Sequence, residues 1–145
     1  MPTIEQTDDR LKAALRERGL RVTPQRLVIN RVLHRLSRHA SAEEVMSAVG
    51  DHLPNVSLPT VYATLELLEE LGLARRVAHA GGRTLFDPRL EDHAHLVCSR
   101  CGRVEDLDIA VDTGAALAAA GRRGYESPRA GVVVTGVCRS CAHAD

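Results

Sequence analysis

Residues 57–87, SLPTVYATLELLEELGLARRVAHAGGRTLFD, decide the fold of the first half of this chain. The stretch opens with Ser57, a residue type that caps helices, and continues with apolar residues at helical spacing as far as Gly72. The period then shortens, and Leu73–His79 and Arg83–Asp87 are predicted to be two β-strands joined by a glycine-containing turn at residues 80–82. The stretch therefore predicts a helix followed directly by a hairpin.

Helical patterns also precede this stretch. Leu11–Arg18 has helical spacing and ends at Gly19, while Thr23-Pro24 and Ser41-Ala-Glu-Glu44 are typical helix starts. Helices followed by a hairpin are the arrangement of a winged helix-turn-helix, whose last helix lies in the DNA major groove. The predicted fold class is α+β, with a winged-helix domain over residues 1–88 and a small C-terminal α/β domain over residues 89–145.

Composition limits the classes of function. Apolar residues make up 44% of the 145 residues, but aromatic residues only 2%, so the core depends on Leu, Val, Ala and Ile. The chain shows no membrane-spanning run and no secretory signal, so we expect a cytoplasmic protein without a membrane partner. Four cysteines in that compartment indicate metal or redox chemistry rather than disulfides.

Charge is segregated although the total is zero. Nine basic residues and one acidic residue lie between Arg10 and Arg38, whereas the predicted reading helix carries no Lys or Arg. Phosphate attraction is therefore expected from that basic stretch and from Arg75, Arg76 and Arg83, and base reading from hydroxyls and Ala63. Tyr62 fits either base reading or a place in the core. The residues predicted to contact DNA are Arg16, Arg21, Arg26, Thr60, Tyr62, Ala63, Thr64 and Arg83.

The second half contains two matched cysteine pairs, Cys98-x-x-Cys101 and Cys138-x-x-Cys141. Four thiolates at this spacing can close a tetrahedron around zinc with no open coordination position, which predicts a structural site. A thiol–disulfide switch is the alternative. The elements predicted around the pairs are strands His95–Cys98, Val104–Ile109 and Gly131–Val137 and a helix, Val111–Arg122.

A second metal site is indicated by His93-Ala-His95, because residues i and i+2 of a strand share a face. Spacing alone does not choose the remaining ligands. The candidates are Asp87, Glu91, Asp92, Glu105, Asp106, Asp108, His34, His39, His52 and His79.

Taken together, these motifs resemble those of the ferric uptake regulator (Fur) family across nearly the whole chain. The matching segments are Arg21-Val-Thr-Pro-Gln-Arg26, Leu58-Pro-Thr-Val-Tyr-Ala-Thr-Leu65, Glu70-Leu-Gly-Leu73, His93-Ala-His-Leu-Val-Cys-Ser-Arg-Cys-Gly102 and Gly136-Val-Cys-Arg-Ser-Cys141. The resemblance implies a homodimeric repressor that binds double-stranded operator DNA, with structural Zn²⁺ on the four cysteines and a regulatory metal at the domain junction.

Carried over by position, the resemblance implies that the regulatory ligands are His39, Asp87, His93, His95 and Asp106. Aspartate at both carboxylate positions is similar to the peroxide-sensing (PerR-like) branch of the family. In that branch bound Fe²⁺ reacts with peroxide and a ligating histidine is oxidised, which by position implies His39 or His93. The implied regulatory ion is Fe²⁺ or Mn²⁺.

Other readings stay open at this point. Within the family, the alternative is an iron, manganese or nickel homeostasis regulator without peroxide chemistry. A zinc hydrolase that uses His93 and His95 lacks a helix motif of the H-E-x-x-H kind, so no enzyme is expected. A zinc module that does not bind DNA is the third reading. Ala63 replaces a polar residue common among relatives, and His143 has no predicted role.

Overall fold

The computed structural model of the chain contains two compact units. The residues it describes are 2–36, 39–80, 83–90 and 94–144. The units are Met1–His79 with Arg83–Leu90, and Ala80–Gly82 with Glu91–Asp145. The helices and strands of the described residues are α1 Ile4–Glu17, α2 Pro24–Leu36, β1 Ala40–Ser41, α3 Ala42–Val49, α4 Leu58–Glu70, β2 Arg75–Ala80, β3 Arg83–Asp87, β4 Ala94–Cys98, β5 Val104–Leu107, α5 Gly114–Arg122, β6 Val133–Gly136 and α6 Arg139–Ala142. This mixture of helix and sheet confirms the predicted α+β class.

Polar side chains cap the helices of the first unit as their positions predict. The hydroxyls of Thr23, Ser41 and Ser57 each accept a hydrogen bond from the backbone three residues on, at 3.2–3.3 Å. The predicted start of α1 at Leu11 is wrong. The helix begins at Ile4, because Thr3 forms a capping box with Gln6 and adds nearly two turns.

The core of the first unit lies among α1, α2, α3 and α4, and Phe86 of β3 is its largest fully buried side chain. The sheet of this unit has the order β1-β3-β2. Strand β1 was not predicted, because two residues carry no detectable period. Strand β2 begins at Arg75 rather than Leu73 and includes Ala80, which the sequence placed in the turn. Gly81 and Gly82 lie outside the described residues.

The second unit has a sheet of order β5-β4-β6, with β4 antiparallel to β5 and parallel to β6. Its elements match the predicted ones in kind, but their bounds differ. Strand β4 begins at Ala94, one residue earlier than predicted, whereas β5 ends at Leu107, α5 starts at Gly114 and β6 covers only Val133–Gly136. The short helix α6 was not predicted. Among the described residues of this unit, only Ala94 and Cys98 are buried.

Within the described part of the chain, none of the helices has the length and apolar character needed to cross a membrane.

Candidate metal centres and nucleic-acid surface

The four cysteines of the second unit converge on one point. Their sulfur atoms all lie within 4.8 Å of one another, and Cys101 Sγ is 3.8 Å from Cys138 Sγ. Zn–S bonds of about 2.3 Å at tetrahedral angles place neighbouring sulfurs about 3.8 Å apart. All four are free thiols rather than disulfides. The four cysteines therefore fit a structural zinc ion, because four thiolates would fill its tetrahedral shell and leave no coordination position open for catalysis.

Backbone donors prepare this cluster for negative charge. The N–H groups of Cys101 and Cys138 donate to Cys98 Sγ at 3.5 and 3.3 Å and lower the pKa of the Cys98 thiol to about 5. Hydrogen bonding to Cys138 and burial raise the pKa of Cys141 to about 12. The backbone donors therefore favour a thiolate at Cys98, whereas the sulfurs crowded around Cys141 resist a further negative charge. A divalent cation at their centre would offset that repulsion.

The first unit brings one histidine and one aspartate together through its sheet. Strand β1 pairs antiparallel with β3, with Ala40 opposite Phe86. Extending this register by one residue brings His39, which precedes β1, next to Asp87, the last residue of β3. A ring nitrogen of His39 and a carboxylate oxygen of Asp87 lie within 4.8 Å of each other. Asp87 Oδ1 also accepts a hydrogen bond from the Arg89 N–H at 2.8 Å, which fixes the carboxylate in an Asx turn.

The second unit repeats the arrangement. Strand β4 pairs antiparallel with β5, and His95 lies directly opposite Asp106. His95 Nε2 and Asp106 Oδ1 are 3.5 Å apart, and the two side chains are 13% and 19% exposed. Two ligands bonded to one ion at about 2.1 Å and tetrahedral angles are about 3.4 Å apart, so this spacing suits shared coordination.

Each unit contains one histidine–aspartate pair: His95 and Asp106 are paired within a sheet, and His39 lies just before β1, next to Asp87 at the end of β3. His39 is 7% exposed and Asp87 is fully buried. Nitrogen and carboxylate ligands of this kind suit divalent iron, manganese, zinc or nickel. His93 lies outside the described residues, so the prediction that it is a ligand stays a prediction.

The exposed face of α4 is the candidate nucleic-acid surface of the first unit. Ala63 is exposed and Thr60 is half-buried. The ring of Tyr62 packs against the core, and its hydroxyl donates to Glu43 Oε1 at 3.3 Å. That Tyr62 reads a base stays a prediction. Burial and then the Glu43 carboxylate raise the pKa of Tyr62. Glu43 was missed by the sequence analysis, because nothing local links α3 to a side chain of α4.

Two residues that were predicted to contact or attract nucleic acid also have roles in the fold. Thr64 is 6% exposed and belongs to the packed side of α4, and its predicted contact with DNA stays a prediction. Arg76 was expected to attract phosphate, but it donates to Glu69 Oε2 at 3.1 and 2.9 Å and lies over the Phe86 ring at 5.3 Å. Arg76 therefore joins β2 to the end of α4.

Arg16 and Arg21 are exposed and Arg26 is half-buried, so all three have surface available to a ligand. The side chain of Arg83 lies outside the described part of the structure.

A family model supplies the decisive comparison, because the model of the "Ferric uptake regulator family" matches residues 17–127, most of the chain. The chain belongs to this family. Its members are transcription regulators, so this protein is a metal-responsive Fur-family regulator and not an enzyme. The zinc-hydrolase reading is therefore wrong.

Individual Fur-family relatives agree in length and fold. The peroxide-responsive repressor PerR of Staphylococcus aureus strain Mu50 is 27% identical over 139 residues, covering 96% of this chain and 94% of the relative. The Vibrio cholerae ferric uptake regulator structure is 30% identical, with a TM-score of 0.68, and covers 88% of this chain and 99% of that one. The Helicobacter pylori regulator, at 20% identity, shows the fold alone, with a TM-score of 0.81 and 99% and 97% of the two chains covered.

Proposed function

We propose that this Fur-family chain is a cytoplasmic metal-dependent repressor that binds double-stranded operator DNA as a homodimer. Residues 1–88 would bind DNA and residues 89–145 would form the dimer. The four cysteines would hold structural Zn²⁺. The regulatory Fe²⁺ or Mn²⁺ would be held by His39, Asp87, His93, His95 and Asp106. The observation that carries the proposal is that each unit contains one histidine–aspartate pair that its sheet brings together.

Two ligand pairs on separate units supply the physical basis for regulation. A pair of ligands in one unit binds an ion weakly, whereas both pairs together supply most of a coordination shell. An ion therefore favours the arrangement in which the pair formed by His39 and Asp87 meets the pair formed by His95 and Asp106. Because that arrangement binds the metal more tightly, occupancy shifts the population toward it, and operator affinity changes with it.

The homodimer is supported by the apolar surface of the second unit. All residues of β6 are exposed, and Val133 and Val134 are 46% and 44% exposed. None of the nine residues of α5, all of them described, is buried. So small a unit lacks the burial expected of an independent domain, and a second copy of the chain supplies the cover it needs. Strand β6 also lies at the edge of its sheet, where another chain can pair with it.

The regulatory metal is tested by operator binding. We expect the purified chain to bind a duplex recovered by selection when Fe²⁺ or Mn²⁺ is added, and His39→Ala to lose at least about tenfold in metal-dependent affinity. His52→Ala is the matched control, because His52 is an exposed histidine of the same unit. Duplex binding that is unchanged by His39→Ala and by removal of every ion except zinc contradicts the proposal.

A response to peroxide is the finer part of the proposal. It is supported by aspartate at both proposed carboxylate ligand positions, Asp87 and Asp106, and by the similarity to the S. aureus peroxide-responsive repressor. Bound Fe²⁺ supplies peroxide-reactive chemistry, and His39 and His93 are the side chains placed by sequence position to receive the oxygen atom.

Mass spectrometry tests this response. We expect peptides containing His39 or His93 to gain about 16 Da after peroxide treatment of the Fe²⁺-loaded protein and to stay unchanged in the Mn²⁺-loaded protein. Equal oxidation with both metals, or none with iron, contradicts peroxide sensing. The second candidate, a metal-homeostasis regulator, is favoured by the 30% identity to the V. cholerae regulator and predicts no oxidation with either metal.

A further inference from the structure

A groove of about 370 Å³ runs between the first turns of α2 and α4. Thr23, which precedes α2, and Arg26 of α2 line one side of the groove, and Thr60, Ala63 and Thr64 line it from α4. Arg26 is the only charged residue among those that line it. The groove therefore carries positive charge directly beside the exposed face of the proposed reading helix.

The reading helix cannot supply that charge itself. Helix α4 contains no Lys or Arg and carries three glutamates in its second half. Three other arginines of this unit have partners elsewhere: Arg18 donates to the Glu70 carbonyl at 3.1 Å, and Arg31 and Arg76 pair with Asp8 and Glu69.

Arg26 is held in a different way. Its Nη1 donates to the Arg21 carbonyl at 2.5 Å, and its guanidinium makes no ion pair with a described acidic residue. The bond to the main chain anchors the side chain without neutralising its charge. The remaining guanidinium N–H groups can then donate to an anion, and the fork geometry of arginine matches two oxygens of a phosphate.

We propose that this groove receives a backbone phosphate of the duplex, and that Arg26 supplies from α2 the positive charge that α4 lacks. This inference rests on the proposed function, since it names how the same surface holds DNA. Ala63 contributes through its size, because its methyl group leaves room beside Arg26. The contact positions α4 on the duplex and carries no sequence preference of its own.

The contact has a thermodynamic signature. Each phosphate neutralised by a cationic side chain releases counterions and adds about 0.9 to the slope of log affinity against log salt concentration. Arg26→Ala in a homodimer should therefore reduce that slope by about 1.8 and lower affinity about tenfold per half-site, equally for different duplex sequences. Arg26→Lys keeps the charge and should keep most of the slope.

The experiment measures fluorescence anisotropy of the full-length, Mn²⁺-loaded protein on a labelled duplex selected with the wild type, across a series of salt concentrations. Arg129→Ala is the control, because it removes the same charge from an exposed position of the second unit. Duplexes with a single neutral methylphosphonate are scanned along one half-site. At one position the wild type should lose affinity, whereas Arg26→Ala should lose nothing further.

Each outcome decides between the proposals. If the wild type binds and Arg26→Ala keeps its affinity and salt slope, the groove proposal is overturned and the proposed function stands. Methylphosphonate losses that are the same in both proteins at every position also overturn the groove proposal alone. A wild type that selects no duplex overturns both.

Discussion

At the scale of single residues, Asp8 and Arg31 form the principal ionic link between α1 and α2. Arg31 Nε donates to both carboxylate oxygens of Asp8, at 2.8 and 3.0 Å, and its Nη2 donates to Oδ2. The Asp8 side chain is 8% exposed and that of Arg31 is 37% exposed. The hydrogen bonds from Arg31 lower the pKa of Asp8 despite the opposing effect of burial.

Asp8→Asn should lower the free energy of unfolding near pH 7 by about 1–2 kcal/mol, with solvent around Arg31 keeping the loss moderate. The folded-state pKa of Asp8 lies below its unfolded value of about 3.9. Its stabilisation is therefore present above that pH and is lost as the pH falls through the folded-state pKa. Urea unfolding followed by circular dichroism between pH 7 and pH 3 measures both effects.

The acid-dependent decline in stability should be shallower in Asp8→Asn than in the wild type. Asp9→Asn is the control, since Asp9 is exposed on the same helix. An Asp8→Asn protein with the wild-type stability and pH profile would show that the pair contributes nothing measurable.

At the scale of elements, the end of helix α4 determines where the hairpin of β2 and β3 begins. Gly72 follows α4 with φ of +73°, and the Leu73 N–H donates to the Leu68 carbonyl at 2.8 Å, closing a Schellman motif. This turn directs the chain from α4 into β2, where Arg76 then contacts Glu69. The left-handed conformation of Gly72 therefore sets the angle between α4 and the hairpin.

Gly72→Ala should destabilise the protein by about 1–2 kcal/mol, because an L side chain disfavours the left-handed conformation. Steric overlap is not the cause, since a Cβ at this position meets nothing within 4 Å. Gly121→Ala is the matched comparison and should have the opposite sign, because Gly121 lies inside α5 without a positive φ and also has open space. Thermal unfolding of both variants measures the difference, and equal effects would contradict the assignment to backbone conformation.

At the scale of the whole molecule, the two units differ in what stabilises them. The first unit has its own apolar core, drawn from α1–α4 and β3. The second unit has few buried residues, and its two cysteine knuckles are joined by the sulfur cluster and by Arg100 Nη1, which donates to the Cys141 carbonyl at 2.9 Å. Metal binding is therefore expected to contribute a large share of the folding free energy of the second unit.

Cys141→Ser should remove zinc from the purified protein and raise the dimer dissociation constant by at least about tenfold, because the proposed dimer surface lies on the unit that loses structure. Amides of α1 and α2 should keep their protection from hydrogen exchange, whereas those of β4 should lose it. Metal analysis, light scattering and hydrogen exchange measure these effects. Ser140→Ala changes the neighbouring residue without removing a sulfur and should leave all three unchanged. A dimer that persists after zinc is lost would show that dimer formation does not depend on zinc.

The sequence predicted much of this fold because many of its signals are local. Thr23, Ser41 and Ser57 cap helices through contacts that span three residues, and they lie where the structure places helix starts. The error at α1 has the same origin, since Thr3 and Gln6 form a capping box that was not recognised. For the regulatory metal site, the sequence alone left ten candidates for the ligands beyond His93 and His95. Only the resemblance to a family reduced that number.

What the sequence by itself determined is therefore the set of local conformations and the two cysteine pairs, because a cap, a period or a knuckle depends on neighbours within a few residues. The tertiary structure alone decided that His39 lies next to Asp87 and that His95 lies opposite Asp106. It also decided that Arg76 serves the fold whereas Arg26 lines a groove. These outcomes depend on strand register and on which surfaces meet, and the burial of the whole core, rather than any short segment, selects them.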